Sequence, residues 1–129
     1  MSLRIRNAQE SPVNPLARTP LPPYYAVIFT SVRSTVENAE YGEMADRMVE
    51  LAGTLPGFLG IDSVRDAAGA GITVSYWETE EAIRAWQRHT DHLVAQRLGR
   101  ERWYEHYELR VSRVERAYRF ERERADGAD

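Results

Sequence analysis

The chain contains no cysteine, which excludes disulfides, thiolate metal sites and cysteine nucleophiles. It has no lysine either. All 17 basic residues are arginine, a bias that suits a GC-rich bacterial genome and removes Schiff-base chemistry and a P-loop lysine. No apolar run approaches the ~18 residues of a membrane span, and the N-terminus lacks a signal-peptide core, so the sequence reads as cytoplasmic. A net charge of −3 gives no reason to expect nucleic acid as a partner. The three histidines come without a nucleophile elbow, so a Ser-His-Asp hydrolase has no basis. The Gly69-Ala70-Gly71 stretch lacks the spacing of a dinucleotide loop.

The remaining composition is that of one soluble domain: 129 residues, 43 % hydrophobic and 29 % charged. Residues 1–23 hold five of the six prolines (Pro12, Pro15, Pro20, Pro22, Pro23). Proline restricts its neighbour and lacks a backbone donor, so this arm is expected to be irregular, as a disordered leader or a wrap around a second subunit. Residues 24–120 follow as the folded domain, and 121–129 as a charged tail.

Within the domain, "YYAVIFTS" (24–31) reads as a buried strand. In "YGEMADRMVELAGTL" the residues Tyr41, Met44, Ala45, Met48, Leu51, Ala52 and Leu55 form one helical apolar stripe, closed by Pro56-Gly57. "FLGIDSVRD" (58–66) and "ITVSYWE" (72–78) read as strands joined by "AAGAG", an antiparallel hairpin. Thr79 with Glu80 and Glu81 starts a second helix that runs to about Leu98. Residues 103–120 read as a fourth strand with a bulge near Ser112–Arg113. The order β-α-β-β-α-β predicts an α+β, ferredoxin-like fold with an antiparallel sheet and both helices on one face. Val27 and Ile28 lie on opposite faces of the first strand, as do Ile72 and Val74 against Thr73 and Ser75, so apolar side chains fall on both sheet faces. A second sheet from an identical chain is the simplest cover, making a dimeric α+β barrel.

The Pro56-Gly57-Phe58 turn, Trp77 with Trp86 nine residues later, and Trp103-Tyr104 opening the last strand resemble the antibiotic biosynthesis monooxygenase family over about residues 24–120. That resemblance implies a dimeric α+β barrel with a cleft between sheet and helices. Some members oxidise aromatic polyketides or quinols without metal or flavin, and others bind or degrade haem. The expected function is a cofactor-independent monooxygenase acting on a small aromatic substrate and O2. A non-catalytic small-ligand or stress-response module is the alternative. The haem-degrading members' strand asparagine and axial histidine have no counterpart here. Of their pocket residues only Trp77 matches, so the reading includes no cofactor, with His92 as the one residue that keeps haem binding open.

A helical wheel puts Ile83, Trp86, Thr90, Leu93 and Val94 on the face that packs against the sheet, with His89, His92 and Gln96 along one flank. That flank is the candidate lip of a cleft. His89 or His92 is the candidate acid–base, because an imidazole exchanges protons near neutrality. Gln96 is a candidate hydrogen-bond donor to a substrate oxygen, and Trp77, Tyr25, Phe29 and Tyr104 are candidate walls for a flat ligand. Two histidines three residues apart with no carboxylate on their flank do not make a metal site. His106 is expected beside Tyr104 and Glu108 on one strand face, at an interface or in solvent. The late arginines, interleaved with Glu108 and Glu115, read as an ion-pair ladder.

Overall fold

The computed structural model describes residues 15–33, 47–96 and 104–122, with side chains at 15–33, 47–91 and 104–122. Among the residues singled out above, Pro12, Tyr41, Met44, Ala45, Leu98 and Trp103 lie outside this set, as do the side chains of His92, Leu93, Val94 and Gln96. The elements are β1 (Tyr24–Arg33), α1 (47–54), β2 (Phe58–Arg65), β3 (Ala70–Trp77), α2 (Glu80–Gln96) and β4 (Tyr104–Val114).

The strands make one four-stranded antiparallel sheet in the order β2-β3-β1-β4. Ala52 of α1 and Ile83 of α2 join Val27 of β1 and Trp77 of β3 in one buried core. Both helices therefore cover the same sheet face, as the ferredoxin-like arrangement requires. The start of α2 is fixed locally. Thr79 Oγ1 accepts the Ala82 amide at 3.0 Å, and Glu80 and Glu81 occupy the first turn, where carboxylates complement the helix dipole. The Pro56-Gly57-Phe58 turn then ties α1 to that point. Gly57 lies at φ +89°, and its carbonyl accepts the Glu78 amide at 2.8 Å. A Cβ on Gly57 would stand 2.8 Å from the Ala82 Cβ, so only glycine lets the turn approach α2 this closely.

The last strand differs from its expected form in two ways. It ends at Val114, because Val114 is opposite Tyr24, the first residue of β1, and among the described residues no strand continues the pairing on that side. Its irregularity lies at the opposite end from Ser112–Arg113. Val32 is opposite His106 and Arg33 opposite Tyr104, so Glu105 is the extra residue of a bulge.

The face away from the helices is half covered by the chain's own arm. The amide of Ala17 donates to Asp62 Oδ1 at 2.7 Å, and Tyr76 OH donates to Asp62 Oδ2 at 2.9 Å. Thr19 Oγ1 donates to Tyr24 OH at 2.9 Å, and Tyr24 meets Tyr76 edge-on. These contacts bury Tyr24 and Ala26 on a face that would otherwise be wet. Burial, and then the nearby Asp62 carboxylate, push the Tyr76 phenol well above its ordinary range.

Candidate functional site

Strand register decides which side chains meet beneath the helices. Tyr25, Val27, Phe29 and Ser31 are opposite Trp77, Ser75, Thr73 and Gly71. Through β3 they align with Phe58, Ile61, Ser63 and Arg65. Since Val27 and Trp77 lie in the core with the helices, this alternate set is the helix-facing surface.

Two aromatic clusters occupy it. Trp77 is fully buried, with its ring 5.4 Å from Trp86 and 5.3 Å from Phe58. Trp77 Nε1 donates to Ser75 Oγ at 2.9 Å, which turns the indole along β3. The second cluster joins Phe29, Tyr104 and Tyr107, with ring centres 5.4–5.5 Å apart. Four residues of β1, about 13 Å of strand, separate Tyr25 beside the first cluster from Phe29 in the second. The bulge at Glu105 is what brings Tyr104 here. It turns Tyr104 onto the helix side while His106 and Glu108 stay on the other face, which corrects the expectation that all three share one face.

The polar groups on this surface are few and mostly paired. Ser63 Oγ and Thr73 Oγ1 bond each other at 2.6 Å. Arg65 is buried and reaches across β3 to donate to Ser31 Oγ at 2.6 Å and to the Gly69 carbonyl. Gly71 lies between them, and a Cβ there would stand 2.7 Å from the guanidinium carbon. The missing side chain of Gly71 is therefore the space that holds the Arg65 cation, one pleat beyond Phe29. Among the described residues two groups are unpaired. Trp86 Nε1 and Thr90 Oγ1, one helical turn apart on α2, are buried and have no hydrogen-bond partner. A helical threonine commonly turns its hydroxyl to the carbonyl four residues back, and Thr90 does not. Unmet buried donors are rare in folded proteins, because leaving one without a partner is costly.

Of the residues chosen from sequence, Trp77, Tyr25, Phe29 and Tyr104 lie on this one surface, in the two clusters. His89 is exposed on α2, outside the packed stripe of Ile83, Trp86 and Thr90. His106 is exposed on the opposite sheet face and meets Glu108 at 3.1 Å. That hydrogen bond, with Arg110 next, holds the Glu108 carboxyl below its usual range. Among the described residues no group of three His, Asp or Glu could hold a metal ion, and no helix is long and apolar enough to cross a membrane. Arg65, Trp86 and Thr90 are the additions that the structure makes. The helical wheel already puts Trp86 and Thr90 on the inner face, but it cannot show their polar atoms unmet.

Fold and surface together define a ferredoxin-like α+β domain with an aromatic surface beneath its helices. Residues 23–98 match the antibiotic biosynthesis monooxygenase family, and the chain belongs to it. It is 55 % identical over 106 residues to "Uncharacterized protein YqjZ" of Bacillus subtilis (strain 168), covering 82 % of this chain and 92 % of that protein. The fold is also that of the crystal structure of PA3566 from Pseudomonas aeruginosa. That match has a TM-score of 0.58 and 15 % identity, over 77 % of this chain and 99 % of the other.

Proposed function

We propose that this protein is a cofactor-independent monooxygenase that oxidises a flat phenolic, quinol or polyketide-type molecule with O2, acting as a cytoplasmic homodimer. The observation that carries the reading is the unpartnered pair Trp86 Nε1 and Thr90 Oγ1, set on an aromatic surface walled by Trp77. An aromatic ligand finds ring faces there, and its oxygen finds two donors that no protein group uses.

The chemistry needs little more. An electron-rich phenol or enol that loses its proton can pass an electron directly to O2. Recombination with the superoxide forms a peroxide on carbon, whose O–O bond breaks as the remaining C–H proton leaves. For a ring CH2 the product is C=O, and water carries off the second oxygen and both hydrogens, so no outside reductant is consumed. In this scheme Trp77, Tyr25, Phe29 and Tyr104 wall the ring, and Trp86, Thr90 and Gln96 hold its oxygen. Arg65, one pleat from Phe29, favours the anion, and His89 or His92 takes the proton at the lip.

The test is oxygen uptake by metal-stripped protein offered anthrones, hydroquinones and catechols. Uptake above autoxidation that falls at least ~10-fold in a His89→Ala, His92→Ala double variant is expected. Uptake that survives in the variant keeps the oxygenase and discards the histidines. The second reading is a non-catalytic dimeric module that holds a hydrophobic ligand, and the exposure of His89 favours it. Binding without uptake across the panel selects that reading.

A further inference from the structure

The sheet face away from the helices is divided along its length. The arm covers the end near Tyr24. At the other end Val32, Val64 and Ile72 are exposed at 40–50 %, and with Thr30, Ala70 and His106 they line an open, mainly apolar groove of about 580 Å³. The chain also has an exposed apolar ridge. Beyond Val114, residues 115–122 contain no helix or strand. Arg119 donates to the Thr19 carbonyl at 3.3 Å, and Glu121 pairs with Arg18, so alternate residues of this strap turn toward the arm. Tyr118 and Phe120 alternate with them and are 87 % and 82 % exposed. Leu21 of the arm is also exposed, at 89 %.

The strap cannot fill its own groove. It leaves the sheet opposite Tyr24, whereas the groove surrounds Val32, eight residues and about 26 Å further along β1. Six residues from Val114 to Phe120 span at most ~22 Å, and the ties to Arg18 and Thr19 hold them at the Tyr24 end.

We propose that Tyr118 and Phe120 dock in the outer-face groove of a second copy of this chain, and that the second copy's strap docks in return. The inference rests on the homodimer reading above and fixes its geometry. The strap leaves the sheet at the Tyr24 end and the groove lies at the Val32 end, so two copies satisfy each other about a two-fold axis perpendicular to the strands. That contact is closed and self-complementary. Each aromatic brings about 150–250 Å². Two per strap, with the groove residues they cover, form a large part of the about 800 Å² per partner of a standard interface.

The experiment is sedimentation equilibrium of the full chain and of Tyr118→Ala, Phe120→Ala, joined to a cysteine trap. Because the chain has no cysteine, Phe120→Cys protein mixed with Ile72→Cys protein can form only the intended disulfide between different variants. The expected result is a wild-type dimer, at least ~10-fold weaker association in the alanine variant, and a covalent heterodimer on mild oxidation. The exposed positions make misfolding of the alanine variant unexpected, and circular dichroism checks it. A wild-type dimer that the alanine variant leaves intact, with no covalent heterodimer, overturns the strap and leaves a sheet-face dimer standing. A wild-type monomer at micromolar concentration overturns both.

Discussion

Replacing Thr90 with valine separates a binding group from a structural one. The hydroxyl of Thr90 is buried without a partner, and a buried polar group in that position costs about 1–3 kcal/mol. Valine keeps the branched shape, and its helix propensity is close to that of threonine, so the helix term cancels. Thr90 itself is only half-buried, which puts the expected gain at the low end, about 1 kcal/mol. For a chain of this length that raises Tm by roughly 3–5 °C. Thermal and urea unfolding of the ligand-free protein measure it. The same variant should bind the best aromatic ligand of the oxidation panel about 10-fold more weakly, because the oxygen loses a hydrogen bond while the walls remain. Stability and affinity thus move in opposite directions, which a structural hydroxyl cannot produce. If Thr90→Val loses more than about 0.5 kcal/mol without ligand, the hydroxyl is already satisfied and the site argument fails.

Gly57→Ala should lose about 2–4 kcal/mol, from its positive φ and the 2.8 Å approach to Ala82, while Gly53→Ala, with nothing within 4 Å, should gain about 0.5–1 kcal/mol as a helix substitution. Urea midpoints that move the same way for both would refute the turn's role. Trp77→Phe should lose about 2–4 kcal/mol, because it leaves a void in the core and takes the indole donor from buried Ser75. Chemical unfolding tests this, and a neutral result would mean the Trp77 pocket is loosely packed. Tyr76 gives a signed pH dependence: its folded pKa is raised, so the stability it contributes is complete below the unfolded value of about 10 and is lost as pH rises through the higher folded value. Urea midpoints from pH 8 to 11.5 should fall less steeply in Tyr76→Phe than in wild type, and equal slopes would remove Tyr76 as the cause.

Much of the fold is legible in the sequence because each element is bounded by a local signal. Thr79 with Glu80 and Glu81 marks the start of α2, and the alternation around Trp77 marks β3. Two features of β4 are not legible, and both depend on its neighbour. Aromatic residues, Tyr118 and Phe120, continue past Val114, but a strand needs a partner, and β1 begins at Tyr24. The bulge at Glu105 likewise comes from fitting β4 to β1. No alternation in "WYEHYELR" announces it, yet it decides which face Tyr104 joins. The arm is a third case. Its prolines predict an irregular chain, while its seat on the sheet depends on Asp62, whose carboxylate lies 45 residues away from Ala17 in sequence.

The candidate site divides along the same line. Aromatic walls are readable, because large rings on a strand's apolar face have few other places to go, and Trp77, Phe29 and Tyr104 lie together. Histidines attract attention by residue type, yet the wheel already puts His89 off the packed face, and exposure follows from that angle. Trp86 and Thr90 hide for the opposite reason: their spacing is that of ordinary packing, and packing does account for their carbon atoms. Only hydrogen-bond accounting in three dimensions shows that the indole nitrogen and the hydroxyl are unmet. Arg65 hides in another way, since "SVRD" does not tell which face of β2 the arginine takes. Once register sets it opposite Gly71, the absent Cβ becomes the reason a guanidinium can lie buried across β3. The chemistry proposed for this surface therefore depends less on the residues that look reactive than on polar atoms carried inward by residues that look structural. The Thr90→Val measurement is decisive for that reason: it removes one such atom and leaves the packing in place.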